Sequence, residues 1–226
     1  MTAPSDLRTH AIILRRTNYG ESDRILNLLT PEGKISALAK GVRKEKSRLA
    51  GGIELFTIAD VVIHRGRTEL GTLTSAKMLR YFSNILTDMT RLELAATFLK
   101  RIEKLSEQIS TPDYFNLLTE ILAGLDNSLP LALVETWGLL NLYRIGGEEL
   151  NLIYDINNEK LDQKLTYNWD NSSAALRPNS HGDISVREIK FARFLLSNKL
   201  ALAAKVEKFE ELLPSLLTLA KTLNYW

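Results

Sequence analysis

Lys40-Gly41-Val42-Arg43-Lys44-Glu45-Lys46-Ser47-Arg48 places five cations and one anion in nine residues. Ammonium and guanidinium groups at this density suit one chemistry: they neutralise phosphates and release the counterions condensed on a nucleic-acid backbone. Gly41 supplies a bend, and Ser47 with Gly51-Gly52 keeps backbone amides accessible. Arg15, Arg16, Arg24, Lys34, Arg65 and Arg67 are candidates to extend the stripe. Tyr19 and Phe56 are the aromatic candidates for stacking on bases. Phe56 also reads as core, because it follows Leu55 in an apolar strand. No motif that reads base edges accompanies them, which implies binding without regard to base sequence. The competing reading is that these cations only solvate a surface loop.

No set of residues assembles a nucleophile, a base and an orienting group. The sequence has no Gly-x-Ser-x-Gly elbow, no phosphate-cradling Gly-rich loop and no His-Glu-x-x-His pair. It has no Cys, which excludes disulfides, thiolate metal sites, Cys nucleophiles and iron–sulfur clusters. Of the three His, His10 and His64 fall in strand-like segments, where a packed or surface role is expected, and His181 sits in a polar loop. Asp23-Arg24 beside a turn reads as local pairing or strand capping. Glu148-Glu149, after Gly146-Gly147, reads as an exposed end. The expectation is a non-enzymatic protein without metal or cofactor.

The elements that must position these residues follow from composition and period. The 226 residues are 45% hydrophobic and 25% charged, the balance of an ordered globular chain with one large or two small domains. The net charge of +2 is unevenly spread: residues 1–80 hold 14 Lys and Arg against 8 Asp and Glu, and residues 81–226 hold 15 against 19. A basic first part of +6 before an acidic remainder of −4 is the asymmetry expected when one part meets a polyanion. No apolar run reaches the roughly 18 residues of a membrane span. The start, MTAPSDLRTH, lacks the basic-then-apolar character of a secretory signal. A cytoplasmic protein without membrane contact is expected.

Up to residue 80 the chain reads as five short strands: 8–19, 23–30, 34–40, 55–64 and 69–78, with Pro31-Glu32-Gly33 and Arg65-Gly66-Arg67 as turns. This pattern suggests a small barrel or sandwich, although the unbroken run Ile12-Ile13-Leu14 fits strict alternation poorly. Beyond residue 80 the period becomes helical. Leu92, Ala95, Leu99, Ile102 and Leu105 share one face of a helix over 88–108. Thr111-Pro112 starts a second helix ending near Gly124, and a third runs from Pro130 to Gly146-Gly147 with Trp137 buried. Ser185 and Glu188 form a capping box for a helix reaching about Ala203. A last helix runs from Val206 towards Tyr225, kinked or restarted at Pro214. Trp226 caps the bundle or lies free. The helices pack as a bundle, interrupted by a turn-rich insert at 151–183 that Tyr154, Leu161, Leu165, Tyr167 and Trp169 anchor as a hairpin or loop.

Several blocks carry a family resemblance. Tyr19-Gly20-Glu21-Ser22-Asp23-Arg24-Ile25-Leu26 is followed at matching spacing by Gly33-Lys34, then by Ala37-Leu38-Ala39-Lys40-Gly41-Val42-Arg43-Lys44 and Lys46-Ser47-Arg48-Leu49. Glu54-Leu55-Phe56-Thr57 and Glu69-Leu70-Gly71-Thr72-Leu73 extend the match, with Tyr143 to Gly147 as a weaker echo. Together they resemble the bacterial RecO family of DNA repair proteins. The resemblance implies a multi-domain α and β protein. Residues 1–80 would form a five-stranded OB-fold β-barrel and residues 81–226 an α-helical bundle, with 151–183 in place of the four-Cys zinc module of many relatives. It implies a recombination mediator that binds single- and double-stranded DNA and anneals complementary strands. RecR, the C-terminal tail of single-strand-binding protein (SSB) and, indirectly, RecA are the implied partners, in a cytoplasmic, nucleoid-associated setting. Carried to this chain, Arg24, Lys34, Lys40, Arg43, Lys44, Lys46 and Arg48 are the implied DNA contacts, with Tyr19 as stacking platform. Relatives carry Arg before the segment matching Val134-Glu135, where tail binding is placed. Here Leu131-Ala132-Leu133 offers no cation, so Lys100, Arg101, Lys104 and Arg144 are the substitute candidates. An RNA-binding OB module and a protein–protein scaffold are the alternatives, since OB-folds host many functions.

Overall fold

The computed structural model describes residues 5–66 and 70–223. Arg67, Glu69, Tyr225 and Trp226, which enter the sequence reading, lie outside the described residues. The chain forms two compact units, Met1–Asp126 and Asn127–Trp226.

The first unit opens with five strands: β1 (Ser5–Tyr19), β2 (Asp23–Thr30), β3 (Gly33–Ala39), β4 (Thr57–Arg65) and β5 (Gly71–Tyr81). They close into a barrel in the order β1-β2-β3-β5-β4, with β3 and β5 parallel and every other pair antiparallel. This is the five-stranded barrel the resemblance implies. β1 serves two neighbours: residues 5–12 pair with β4 and residues 12–19 with β2. An irregularity between Ile13 and Arg15 lets it bend from one to the other. Ala11, Ile13, Leu26, Leu28, Ala37, Ala39, Val61 and Ile63 fill the interior.

Two helices follow, α1 (Met89–Leu105) and α2 (Pro112–Asp126). Asp88 caps α1 by accepting from the N–H groups of Thr90 and Arg91, and the Thr111 hydroxyl accepts from Asp113 ahead of α2. α1 packs on β1, and α2 on β2 and β3. Ile12 and its cross-strand partner Leu29, which point away from the interior, are therefore as buried as the core. Burial on both faces explains the unbroken apolar run in β1, because strict alternation is required only of a strand with one wet face. Strands give way to helices after Tyr81, whereas the compact units divide after Asp126.

The second unit holds α3 (Leu131–Ile145), β6 (Thr166–Asp170), β7 (Ala175–Pro178), β8 (Ile184–Ser185), α4 (Val186–Ser197), α5 (Leu200–Ala203) and α6 (Leu213–Leu223). α3 packs against α4, α5 and α6, and Trp137 is buried within it. The insert is a hairpin of β6 and β7 with β8 added, in the order β7-β6-β8. Tyr167 anchors it from within: the ring is buried and its hydroxyl accepts from the Asp162 N–H. The Ser185 capping box forms as expected. The helix it opens stops at Ser197 instead of continuing to Ala203, because Asn198 is extended and its carbonyl accepts from the Trp137 indole at 3.0 Å. The final helix likewise begins later than Val206. Lys208 sits at φ 56°, Phe209–Leu212 forms a 3₁₀ turn, and Pro214 restarts the chain in the first turn of α6.

Candidate nucleic-acid interface

Strand pairing gathers two connections and the start of β5 at one end of the barrel. Tyr19 faces Asp23 across the β1–β2 turn, Arg24 faces Ala39 at the end of β3, and Leu38 lies beside Thr72 at the start of β5. The β1–β2 turn, the start of the β3–β4 loop and the start of β5 therefore share a rim. This is the end at which OB-folds hold oligonucleotides, together with the outer face of the second and third strands.

That outer face is closed here. Glu103 of α1 accepts from Asn27 of β2 and from Arg15 Nε of β1, the latter at 2.8 Å. Ser36 donates to Asn27 at 3.0 Å. Lys34 pairs with Glu107, and its side chain is only 15% exposed. Binding at this surface would require displacing α1, which leaves the rim as the candidate surface of the first unit.

At the rim, the β3–β4 loop is tied to the β1–β2 turn. Asp23 Oδ1 accepts from the Gly41 N–H at 2.7 Å and from the Ser22 hydroxyl at 3.2 Å. The Arg43 N–H donates to the Ser22 carbonyl at 2.9 Å, and Arg43 Nη1 donates to the Gly20 carbonyl at 3.2 Å. Gly41 sits at φ 62°, a conformation that a side chain rarely adopts. Val42 then turns inward and joins the barrel core, 4% exposed. Two successive turns follow, Lys44 N–H to Gly41 O and Ser47 N–H to Lys44 O. The loop ends on Ala50–Gly52, a 3₁₀ turn lying so close to β5 that a Cβ at Gly52 would stand 2.4 Å from the Ala76 carbonyl.

This construction buries the one apolar residue of the basic block and turns its charges outward. Lys40, Arg43, Lys44, Lys46 and Arg48 are all exposed. Lys40, Lys44, Lys46 and Arg48 make no ion pair with the described residues, and Glu45 is the one acid among them. With a screening length of about 10 Å at 0.1 M salt, cations this close in the chain act on a phosphate backbone together. Tyr19, 55% exposed, stands on the same rim, and Arg24 Nε donates to Asn18 Oδ1 beside it at 3.2 Å.

The remaining candidates distribute as follows. Phe56 is buried, 4% exposed, at φ 59° just ahead of β4, as its reading as core expects. Arg16 pairs with Glu54 at 2.7 Å, and Arg65 is exposed at the end of β4. Lys100 and Lys104 are exposed on α1, Arg101 is partly buried there, and Arg144 lies on α3 in the other unit, donating to Asn141 at 3.1 Å. His10, His64 and His181 are at the surface, His64 bonded to Asp6. Among the described residues no three His, Asp or Glu stand close enough to hold a metal ion. The sequence reading assigns Asp23 only to local pairing or strand capping. Its link to Gly41 spans 18 residues, and the signal for it is the pair of Gly-containing blocks with an acid ahead of Arg24 in the first.

Residues 1–82 match the family described as Recombination protein O N terminal. Over 224 residues the chain is 32% identical to the DNA repair protein RecO of Dehalococcoides mccartyi (strain CBDB1), covering 96% of this chain and 88% of that protein. The chain belongs to the RecO family. Other members match shorter stretches of the chain at higher identity. DNA repair protein RecO of Heliobacterium modesticaldum is 41% identical over 112 residues, covering 49% of this chain and 41% of its own length. That of Rubrobacter xylanophilus is 40% identical over 122 residues, 53% and 48% of the two chains.

Proposed function

We propose that the protein is a DNA-binding recombination and repair mediator, not an enzyme, that anneals complementary strands and assists recombinase loading on SSB-coated single strands. One observation carries this reading. Four cations that meet no acid among the described residues share the open end of an OB barrel with an exposed tyrosine, and the barrel's side face is sealed by its own helix. Cations fixed along one loop lower the repulsion between two phosphate backbones, which is the barrier to pairing them. A surface without base-reading groups suits a protein that must act on every sequence. The barrel, residues 1–80, holds single- and double-stranded DNA in this reading, and residues 81–226 dock partners. Those partners are RecR, the acidic SSB tail and, through them, RecA, in the cytoplasm at the nucleoid. Lys100, Arg101, Lys104 and Arg144 are the cations available for an acidic tail.

The test is annealing of complementary single strands coated with cognate SSB, with and without the protein, at two salt concentrations. Salt-sensitive acceleration is the expected result. Acceleration on bare strands alone would leave the DNA site standing and remove the SSB contact. No acceleration on either would overturn the reading, and competition between matched RNA and DNA strands would then separate an RNA-binding module from a scaffold.

A further inference from the structure

An anion inside a surface that attracts polyanions works against binding, so Asp23 needs another reason to be there. Its carboxylate joins the β1–β2 turn to the first residue after Lys40, through the Gly41 N–H at 2.7 Å. Arg43 completes the junction with its N–H on the Ser22 carbonyl and its guanidinium on the Gly20 carbonyl. Gly41 at φ 62° and buried Val42 fix the chain direction between these bonds. A loop with five cations repels itself and would be mobile if untethered, and ordering it on binding would reduce affinity.

We propose that Asp23 is a positioning residue for the interface: it clasps the β1–β2 turn to the β3–β4 loop and presents Lys40, Arg43 and Lys44 as a preset arc beside Tyr19. The proposal rests on the DNA-binding reading above. It assigns Asp23 no contact with the strand. The cost of its charge is outweighed by the order it imposes on the cations around it.

Two substitutions separate charge from clasp. Asp23→Asn removes the charge and keeps an oxygen that can accept from Gly41. Asp23→Ala removes both. With a single-stranded oligothymidylate as probe, Asp23→Asn binds at least as tightly as the parent. Asp23→Ala binds about tenfold more weakly than Asp23→Asn, the scale of leaving one or two residues to be ordered on binding. The slope of log affinity against log salt is the same in both, because the phosphates are still held and only the order of the cations that hold them differs. Amide hydrogen exchange at Gly41 and Arg43 accelerates in Asp23→Ala and not in Asp23→Asn. Should Asp23→Ala fail to fold, Asp23→Val removes the acceptor with better strand propensity. Equal affinity of the Ala and Asn variants, or unchanged Gly41 protection in Asp23→Ala, would overturn the proposal. A parent protein that binds no strand would take the proposal down with the DNA reading, and the exchange data would show that the reading failed and the clasp did not.

Discussion

Two sides of the same barrel carry cations to opposite ends. On the side covered by α1, Arg15 and Lys34 meet Glu103 and Glu107 and hold the helix to the strands. At the rim, Lys40, Lys44, Lys46 and Arg48 meet no acid among the described residues. The residue types are alike on the two sides. What differs is whether a later segment of chain returns with a carboxylate. The family resemblance carries Lys34 and Lys40 over together, and only Lys34 has an acidic partner among the described residues.

The strongest way to break the comparison is to neutralise the rim alone. A variant with Lys40, Arg43, Lys44 and Lys46 all changed to Gln should lose single-strand affinity steeply at low salt. Its salt slope should shrink by about 0.7 for each phosphate that the variant no longer neutralises. Melting temperature should stay near that of the parent, since these side chains are exposed and Val42 still anchors the loop. Titration at three or more salt concentrations checks this. An unchanged slope would mean that the phosphates lie elsewhere.

Tyr19 tests whether the rim reads strands by more than charge. Tyr19→Ala should weaken single-strand binding by about 1–3 kcal/mol, the worth of one base stacked on an aromatic ring, with no change in slope. Duplex DNA, whose bases are already stacked, should bind as before. Equal losses on both substrates would make Tyr19 part of the rim's shape and not a platform.

The limits of reading this chain from sequence follow the same division. Five strands, the capping residues Thr111 and Ser185 and the exposure of the basic loop are local, and local composition sufficed for them. The partners of Arg15 and Lys34 lie 88 and 73 residues away and leave no local mark. Phe56 fits an apolar strand in sequence, but it stands just ahead of β4 at a φ of 59° that no composition rule assigns to Phe. The helix break at Asn198 depends on a tryptophan 61 residues earlier. Long-range closure also explains Ile12-Ile13-Leu14: its mismatch with alternation is the trace of a helix that packs on the barrel from far along the chain.

The covered side gives the smallest and most discriminating effect. Lys34→Gln removes the ammonium that donates to Glu107 and should leave the salt slope of DNA binding unchanged, the reverse of the rim variant. Its effect should appear in stability, and only over part of the pH range. The Lys34 hydrogen bond, followed by the attraction of the same charge, holds the Glu107 carboxyl below its ordinary range. A carboxyl depressed in the folded state stabilises it above the unfolded value of about 4.3 and ceases to do so as pH falls through the folded value. The melting temperature of Lys34→Gln should therefore lie slightly below that of the parent at neutral pH, and the two curves should converge as the solution is acidified. Glu107 is 59% exposed, so solvent and salt screen the pair and the gap should also narrow in high salt. A Lys34→Gln protein with parental stability at every pH but a reduced DNA slope would place Lys34 on the strand, and α1 would then have to lift from the barrel when DNA binds.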